Sequence, residues 1–113
     1  MNALFVCSAN RLRSPTAEQV FSTWPGIETD SAGLSGGVLL SVEQIEWADV
    51  IFVMEKAHRN KLSKKFGRHL NGKRVVCLDI PDDYEFMDPE LIKLLEAKAG
   101  RILSSPRNSG SSS

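Results

Sequence analysis

Residues 7–15, CSANRLRSP, stand between the apolar run ALFV (3–6) and the segment TAEQVF (16–21). ALFV is short, continuous and apolar, the pattern of a strand buried on both faces. Ser14-Pro15 reads as a helix start, serine as N-cap and proline at the first helical position, with Ala17, Val20 and Phe21 on one helical face. Cys7 and Arg13 therefore belong to a strand-to-helix turn. The residues from Ser8 to Arg13 can curl until successive backbone N–H groups converge, forming an anion-binding nest that the helix dipole reinforces. A tetrahedral oxyanion fits there. At the floor of such a nest a cysteine is favoured as thiolate by the positive groups around it, which makes it a nucleophile at neutral pH. Arg13 offers a planar fork of donors that holds two phosphoryl oxygens together, which lysine cannot do. Asn10 tolerates a left-handed backbone and can tie the loop, and Ser14 can donate to the thiolate as well as cap the helix.

Strands and helices alternate through the rest of the chain. GIETDSAGL (26–34) is a second strand ending in a turn, and SVEQIEWA (41–48) a short helix opened by a Ser41–Gln44 capping box. DVIFVM (49–54) is the third strand, EKAHRNKLSKKF (55–66) a polar helix with Leu62 and Phe66 inward, and KRVVCLD (73–79) the fourth strand. Asp88-Pro89 caps a last helix carrying Leu91, Ile92, Leu94, Leu95, Ala99, Ile102 and Leu103 at helical spacing. The fold class predicted is α/β: a doubly wound, four-stranded parallel sheet with helices on both faces. One domain is expected over 1–103, followed by a disordered Ser/Gly-rich tail over 104–113. Ligands of such sheets bind beyond the carboxyl ends of the strands. Cys7 and the loops after Val53 and Asp79 share that edge, so the acidic segment IPDDY (80–84) is expected beside the 7–15 loop despite its distance in sequence.

Composition narrows the function. Fourteen Lys+Arg balance fourteen Asp+Glu, so no overall field draws the chain to nucleic acid or acidic lipid. No apolar run reaches about 18 residues and no leader pattern opens the chain, so neither a membrane span nor secretion is expected, and a cytoplasmic location is. In a reducing compartment Cys7 and Cys77 are expected as free thiols. Two such distant cysteines form no zinc site, and no stretch has the form GxxxxGK. Neither metal nor cofactor is expected. Elsewhere the ordinary readings suffice: Cys77 as core, Asp88 as helix cap, Trp24 and Trp47 as packing or pocket rim. His58 belongs with Lys56, Arg59, Lys61, Lys64 and Lys65 on a solvated face, whose basic run, continuing to Arg68 and His69, could meet an acidic partner.

CSANRLRSP, preceded by LFV and followed by TAE, resembles the signature loop of the low-molecular-weight protein tyrosine phosphatases. DSAGL, ADVIFVME and LDIPDDY resemble that family's later segments in the same order, so the chain looks like a short member over residues 3–103 with the phosphotyrosine phosphatase I-like fold. The resemblance implies a cysteine-dependent phosphomonoesterase acting on a phosphorylated protein or small phosphomonoester. Cys7 would attack phosphorus, and Arg13 with the amides of Ser8, Ala9, Asn10, Arg11, Leu12 and Arg13 would hold the oxygens. Ser14 would support the thiolate, Asp82 would serve as general acid with Asp83 as its neighbour, and Tyr84 would take the place of the pocket-lining tyrosine. Ala9 replaces the family's loop glycine, Leu12 its second loop cysteine, and Asp82-Asp83 its Asp-Pro. The segment between SAGL and SVEQ is shorter than in the family, which leaves room for a partner to complete the pocket. Two other functions remain open on the sequence: a phosphate- or phosphoprotein-binding module without turnover, and a thiol-based arsenate reductase using Cys77.

Overall fold

In the computed structural model, which describes residues 1–9 and 11–104, four short strands lie parallel in one sheet. They are β1 (Asn2–Cys7), β2 (Glu28–Gly33), β3 (Val50–Val53) and β4 (Arg74–Cys77), in the order β2-β1-β3-β4. Ala3 to Val6 and Ile51 to Val53 are completely buried, which is why the two inner strands show no alternation of polar and apolar residues. The chain passes from β1 to β2 on one side and comes back to β3 on the other. That reversal leaves a crevice at the carboxyl end of β1, where Cys7 stands beside Gly33.

Helices α1 (Arg13–Phe21) and α4 (Pro89–Leu95) cover one face, and α2 (Val42–Trp47) and α3 (Lys56–Phe66) the other. On the first face Ala3, Phe5, Cys7 and Phe52 meet Ala17, Phe21, Leu91 and Leu95. Phe5 stacks on Phe21 and Phe52 with ring centroids 5.6 and 5.1 Å away, and Trp24 meets Phe21 edge-on. Leu4, Val6, Ile51 and Val53 form the second core with Ile45 and Leu62. Each such buried side chain stabilises the fold by roughly 1.5–3 kcal/mol. The cores on both faces hold β1 in place from above and below, and so fix the position of its last residue.

Local details follow the sequence with identifiable exceptions. The Ser41–Gln44 capping box forms in both directions, and Asp88 accepts from the Glu90 N–H as cap of α4. β4 is shorter than KRVVCLD because it pairs only with the four residues of β3. Ser14 is not the N-cap of α1: that helix starts at Arg13 with Leu12 in the cap position, and Ser14 lies inside its first turn. Beyond α4 the chain winds through wider π turns over Glu96–Gly100 and stays helical to Ser104, whose hydroxyl donates to the Gly100 carbonyl. The π turns bring Gly100 against Trp24, where a side chain would meet the indole at 2.7 Å. The expected disordered tail therefore does not begin at Ser104, and 105–113 lie outside the described residues. Trp47 is far from the crevice, since its carbonyl accepts from the Asn2 side chain at the starting edge of the sheet. No described helix is long and apolar enough to cross a membrane.

Candidate functional site

Cys7 is the last residue of β1, and its thiol lies 2.9 Å from the Ser14 hydroxyl. Either group can donate, and an ionised sulfur can only accept. The loop that follows is held from the β2 side. The Leu34 N–H donates to the carbonyls of Cys7 and Ser8, the Ser35 N–H donates to Ser8, and the Ser8 and Ser35 hydroxyls meet at 3.2 Å. A side chain added at Gly36 would meet Ala9 at 3.7 Å. Through Leu34 and Ser35 the short segment after SAGL braces the start of the 8–13 loop. At the other end Thr16 donates from both its N–H and its hydroxyl to the Leu12 carbonyl, and the same hydroxyl accepts from the Met87 N–H. Through Thr16 the acidic loop after β4 is fastened to the first turn of α1.

Arg13 is 4% exposed. A buried guanidinium is costly unless its donors are matched, and three residues supply acceptors. Its Nη1 donates to Glu55 Oε2 at 2.5 Å and to the Ile80 carbonyl at 2.7 Å, and its Nε stands 3.7 Å from Asp82 Oδ1. Glu55 comes from the start of α3 and Asp82 from the loop after β4, so the buried cation ties together the carboxyl ends of three strands. Asp79 helps by turning in the left-handed region, at φ 54°, just before Ile80.

Cys7, Ser8, Ala9, Arg11, Leu12, Arg13 and Asp82 line one cavity of about 170 Å³. The general acid expected from a segment some 70 residues away in sequence is therefore beside the loop. Tyr84 is not: it packs half-buried against the core of the first face and does not line this cavity. Asn10, expected to tie the loop, lies outside the described residues. Cys77 ends β4, two strands from Cys7, and packs against the opposite core. Neither cysteine forms a disulfide.

Two residues at this edge depart from the sequence-based expectation. Glu55 reads in the sequence as an ordinary residue of the polar helix, yet it stands two residues after β3, at the carboxyl edge of the sheet. His58 was expected in solvent with the lysines of α3, but it is 6% exposed. Its Nδ1 accepts from the Glu55 N–H while the Glu55 carboxylate accepts from the His58 N–H, a reciprocal cap at the start of α3. The signal available in the sequence was the spacing of a carboxylate and a hydrogen-bonding side chain three residues apart at a helix start. Burial, and then the Arg13 guanidinium, push the His58 imidazole below its ordinary value of 6.5, with Lys61 acting in the same direction and Glu55 and Asp82 opposing it.

No family model and no curated protein matches the sequence. Solved structures do match. A low molecular weight phosphotyrosine phosphatase from Vibrio cholerae O395 aligns at 18% identity over 97% of this chain and 99% of its own, with a TM-score of 0.79. The YwlE arginine phosphatase from Geobacillus stearothermophilus aligns at 21% identity over 92% and 94%, with a TM-score of 0.75. The tyrosine phosphatase Wzb from Escherichia coli K30, solved in complex with phosphate, aligns at 19% identity over 92% and 96%, again with a TM-score of 0.75. With its parallel sheet, its helices on both faces and a loop cysteine at the end of β1, the chain has the fold of the low-molecular-weight phosphotyrosine phosphatases.

Proposed function

We propose that this chain is a metal-independent phosphomonoesterase of the protein tyrosine phosphatase type that works through a cysteinyl-phosphate intermediate. The observation that carries the proposal is the convergence of three groups on one cavity: the Cys7 thiol touching Ser14, the buried Arg13 guanidinium, and the Asp82 carboxyl. The domain is 1–104, the location cytoplasmic, and the substrate a phosphorylated protein or small phosphomonoester, with nucleic acid and membrane playing no part.

Cys7 attacks phosphorus in line with the leaving oxygen. The S–P bond forms as the P–O bond breaks, and Asp82 gives its proton to the departing oxygen. Arg13 and the N–H groups of the loop hold the three equatorial oxygens, where charge spreads in the transition state. The Ser14 hydroxyl donates to the sulfur before attack and again when sulfur leaves. In the second half Asp82 takes a proton from water, the oxygen of which attacks phosphorus, and the Cys7 thiolate departs from inorganic phosphate. Fold neighbours described as phosphatases, one of them bound to phosphate, support this reading. The arsenate reductase alternative gains no support, because a resolving thiol at Cys77 stands on the wrong face of the sheet.

The test is hydrolysis of para-nitrophenyl phosphate in EDTA by the full chain and by Cys7→Ser. Turnover by the wild type, lost in the variant, is expected. Phosphate binding by a folded wild-type protein without hydrolysis would replace the proposal with the binding module. A companion variant, Asp82→Asn, should slow esters of high leaving-group pKa more than activated ones; equal losses would pass the acid role to Asp83.

A further inference from the structure

The loop carries a second arginine that the chemistry above does not use. Arg11 lines the same cavity as Cys7 and Arg13, but its side chain is exposed, and it makes no hydrogen bond or ion pair with any described residue. Arg13 is its opposite in every respect, buried and matched by Glu55, Ile80 and Asp82. The cavity, at about 170 Å³, is well under the roughly 300 Å³ at which pockets for whole small molecules begin. A phosphoryl group at its floor leaves little further room, and most of the remainder of a substrate lies toward the mouth. Among the described residues no aromatic side chain lines the cavity, and Tyr84 packs against the core instead, so ring stacking does not select that remainder. Charge does. Among the described residues the one lining carboxylate, Asp82, stands 3.7 Å from the Arg13 guanidinium, to which Glu55 is also bonded.

The geometry points to Arg11 as the contact for a second anionic group, so that the preferred substrate is a phosphomonoester carrying a carboxylate or another phosphate next to the phosphoryl group. This inference rests on the phosphatase reading for its substrate, although anion binding alone can be measured without turnover. The planar guanidinium suits a carboxylate or phosphate oxygen pair at the rim, while the loop N–H groups and Arg13 keep the phosphoryl oxygens. Two sources carry this chemistry: a small phosphorylated acid, and a phosphopeptide with an acidic neighbour.

The experiment compares methylphosphonate with phosphonoacetate, which differ by a carboxylate, in calorimetric titrations of the full chain and of Arg11→Gln. Preference is taken as the ratio of the two dissociation constants within each protein, so that any loss of general affinity cancels. The wild type should prefer phosphonoacetate by about three- to tenfold, the range for a partly exposed charge-assisted contact, and Arg11→Gln should reduce the ratio to about one. Equal affinity in the wild type, a ratio unchanged by the substitution, or binding of neither phosphonate would overturn the inference. Hydrolysis of phosphotyrosyl peptides with Glu or Gln beside the phosphorylated residue separates the sources. A matching Arg11-dependent preference in kcat/KM assigns the acidic group to a protein substrate, and its absence alongside the phosphonate preference assigns it to a small molecule. A protein that shows the phosphonate preference but hydrolyses no phosphoester would sink the phosphatase reading and leave the anion contact standing.

Discussion

The two edges of the sheet handle polar groups in opposite ways. At the starting edge the chain closes on itself through exposed contacts. The amino terminus donates to the Gly26 carbonyl, Asn2 donates from its N–H to Asp49 and from its side chain to Trp47, and Lys73 donates to the carbonyls of Glu46 and Ala48. These contacts join residues 25 to 47 apart in sequence, most of them with water at hand. At the carboxyl edge the polar residues Arg13, Ser14, Thr16 and His58 are all buried, and their partners come from three separate loops. Burying a cation and an imidazole is worth nothing to a fold that only needs closing. The expense is understandable where a fixed positive charge must wait, already oriented, for a substrate's oxygens. The contrast teaches where to look in an unfamiliar α/β chain: buried polar residues that converge on one strand end mark chemistry, whereas exposed ones at the other end mark closure.

Breaking the carboxyl edge should therefore be far more damaging than breaking the starting edge. Arg13→Lys keeps the charge but loses the fork. It should lower kcat for para-nitrophenyl phosphate by about a hundred- to a thousandfold, and a loss under tenfold would mean that Arg13 is a structural tie and little more. Glu55→Gln comes next. Removing one partner of a fully buried pair costs about 3–5 kcal/mol, but Glu55 is 40% exposed, so about 1–3 kcal/mol of unfolding free energy in urea is expected, together with reduced turnover. Asp49→Ala, the matching change at the starting edge, leaves the Asn2 N–H to water and should cost under about 1 kcal/mol with hydrolysis unaltered. Equal stability losses from the two variants would erase the contrast.

The smallest effect is on pH dependence. The His58 imidazole titrates below 6.5 in the folded protein, so between about 6.5 and that lower value the unfolded chain holds a proton that the folded one lacks. Stability should fall as pH drops through this window, while above about 6.5 His58 adds no pH dependence. In urea melts from about pH 8 to about pH 5, His58→Gln should lose stability less steeply with acid than the wild type. Parallel curves would show that His58 accepts its proton as readily folded as unfolded.

Much of this was legible in the sequence because it depends on local pattern. Three apolar runs, the turn-ended segment GIETDSAGL, a Ser-Gln box and an Asp-Pro start give strands and helices; their alternation gives a parallel sheet; and the edge rule then brings Cys7 and Asp82 together. The residues that escaped are those whose surroundings are set by tertiary packing. His58 sits among lysines in sequence, and only the turn of α3 against β3 and the Arg13 loop shows that it faces inward. Ser14 has the sequence signature of a cap, but α1 begins two residues earlier than that cap implies, at Arg13, and the Ser14 hydroxyl meets the Cys7 thiol. Tyr84 carried the position of a pocket wall, yet the turn after β4 directs it to the core. Glu55 has no local feature that distinguishes it from any helix-capping glutamate; its role exists only because Arg13 arrives from another strand.

The central claim is that phosphate passes through the sulfur of Cys7, and the most direct measurement is a rapid quench of the full chain during para-nitrophenyl phosphate hydrolysis in EDTA, followed by intact mass and peptide mapping. One phosphoryl group per chain on Cys7 during turnover, with hydrolysis lost in Cys7→Ser, is the predicted result. Continued hydrolysis in Cys7→Ser, or turnover with the phosphoryl group never found on that residue, would contradict it.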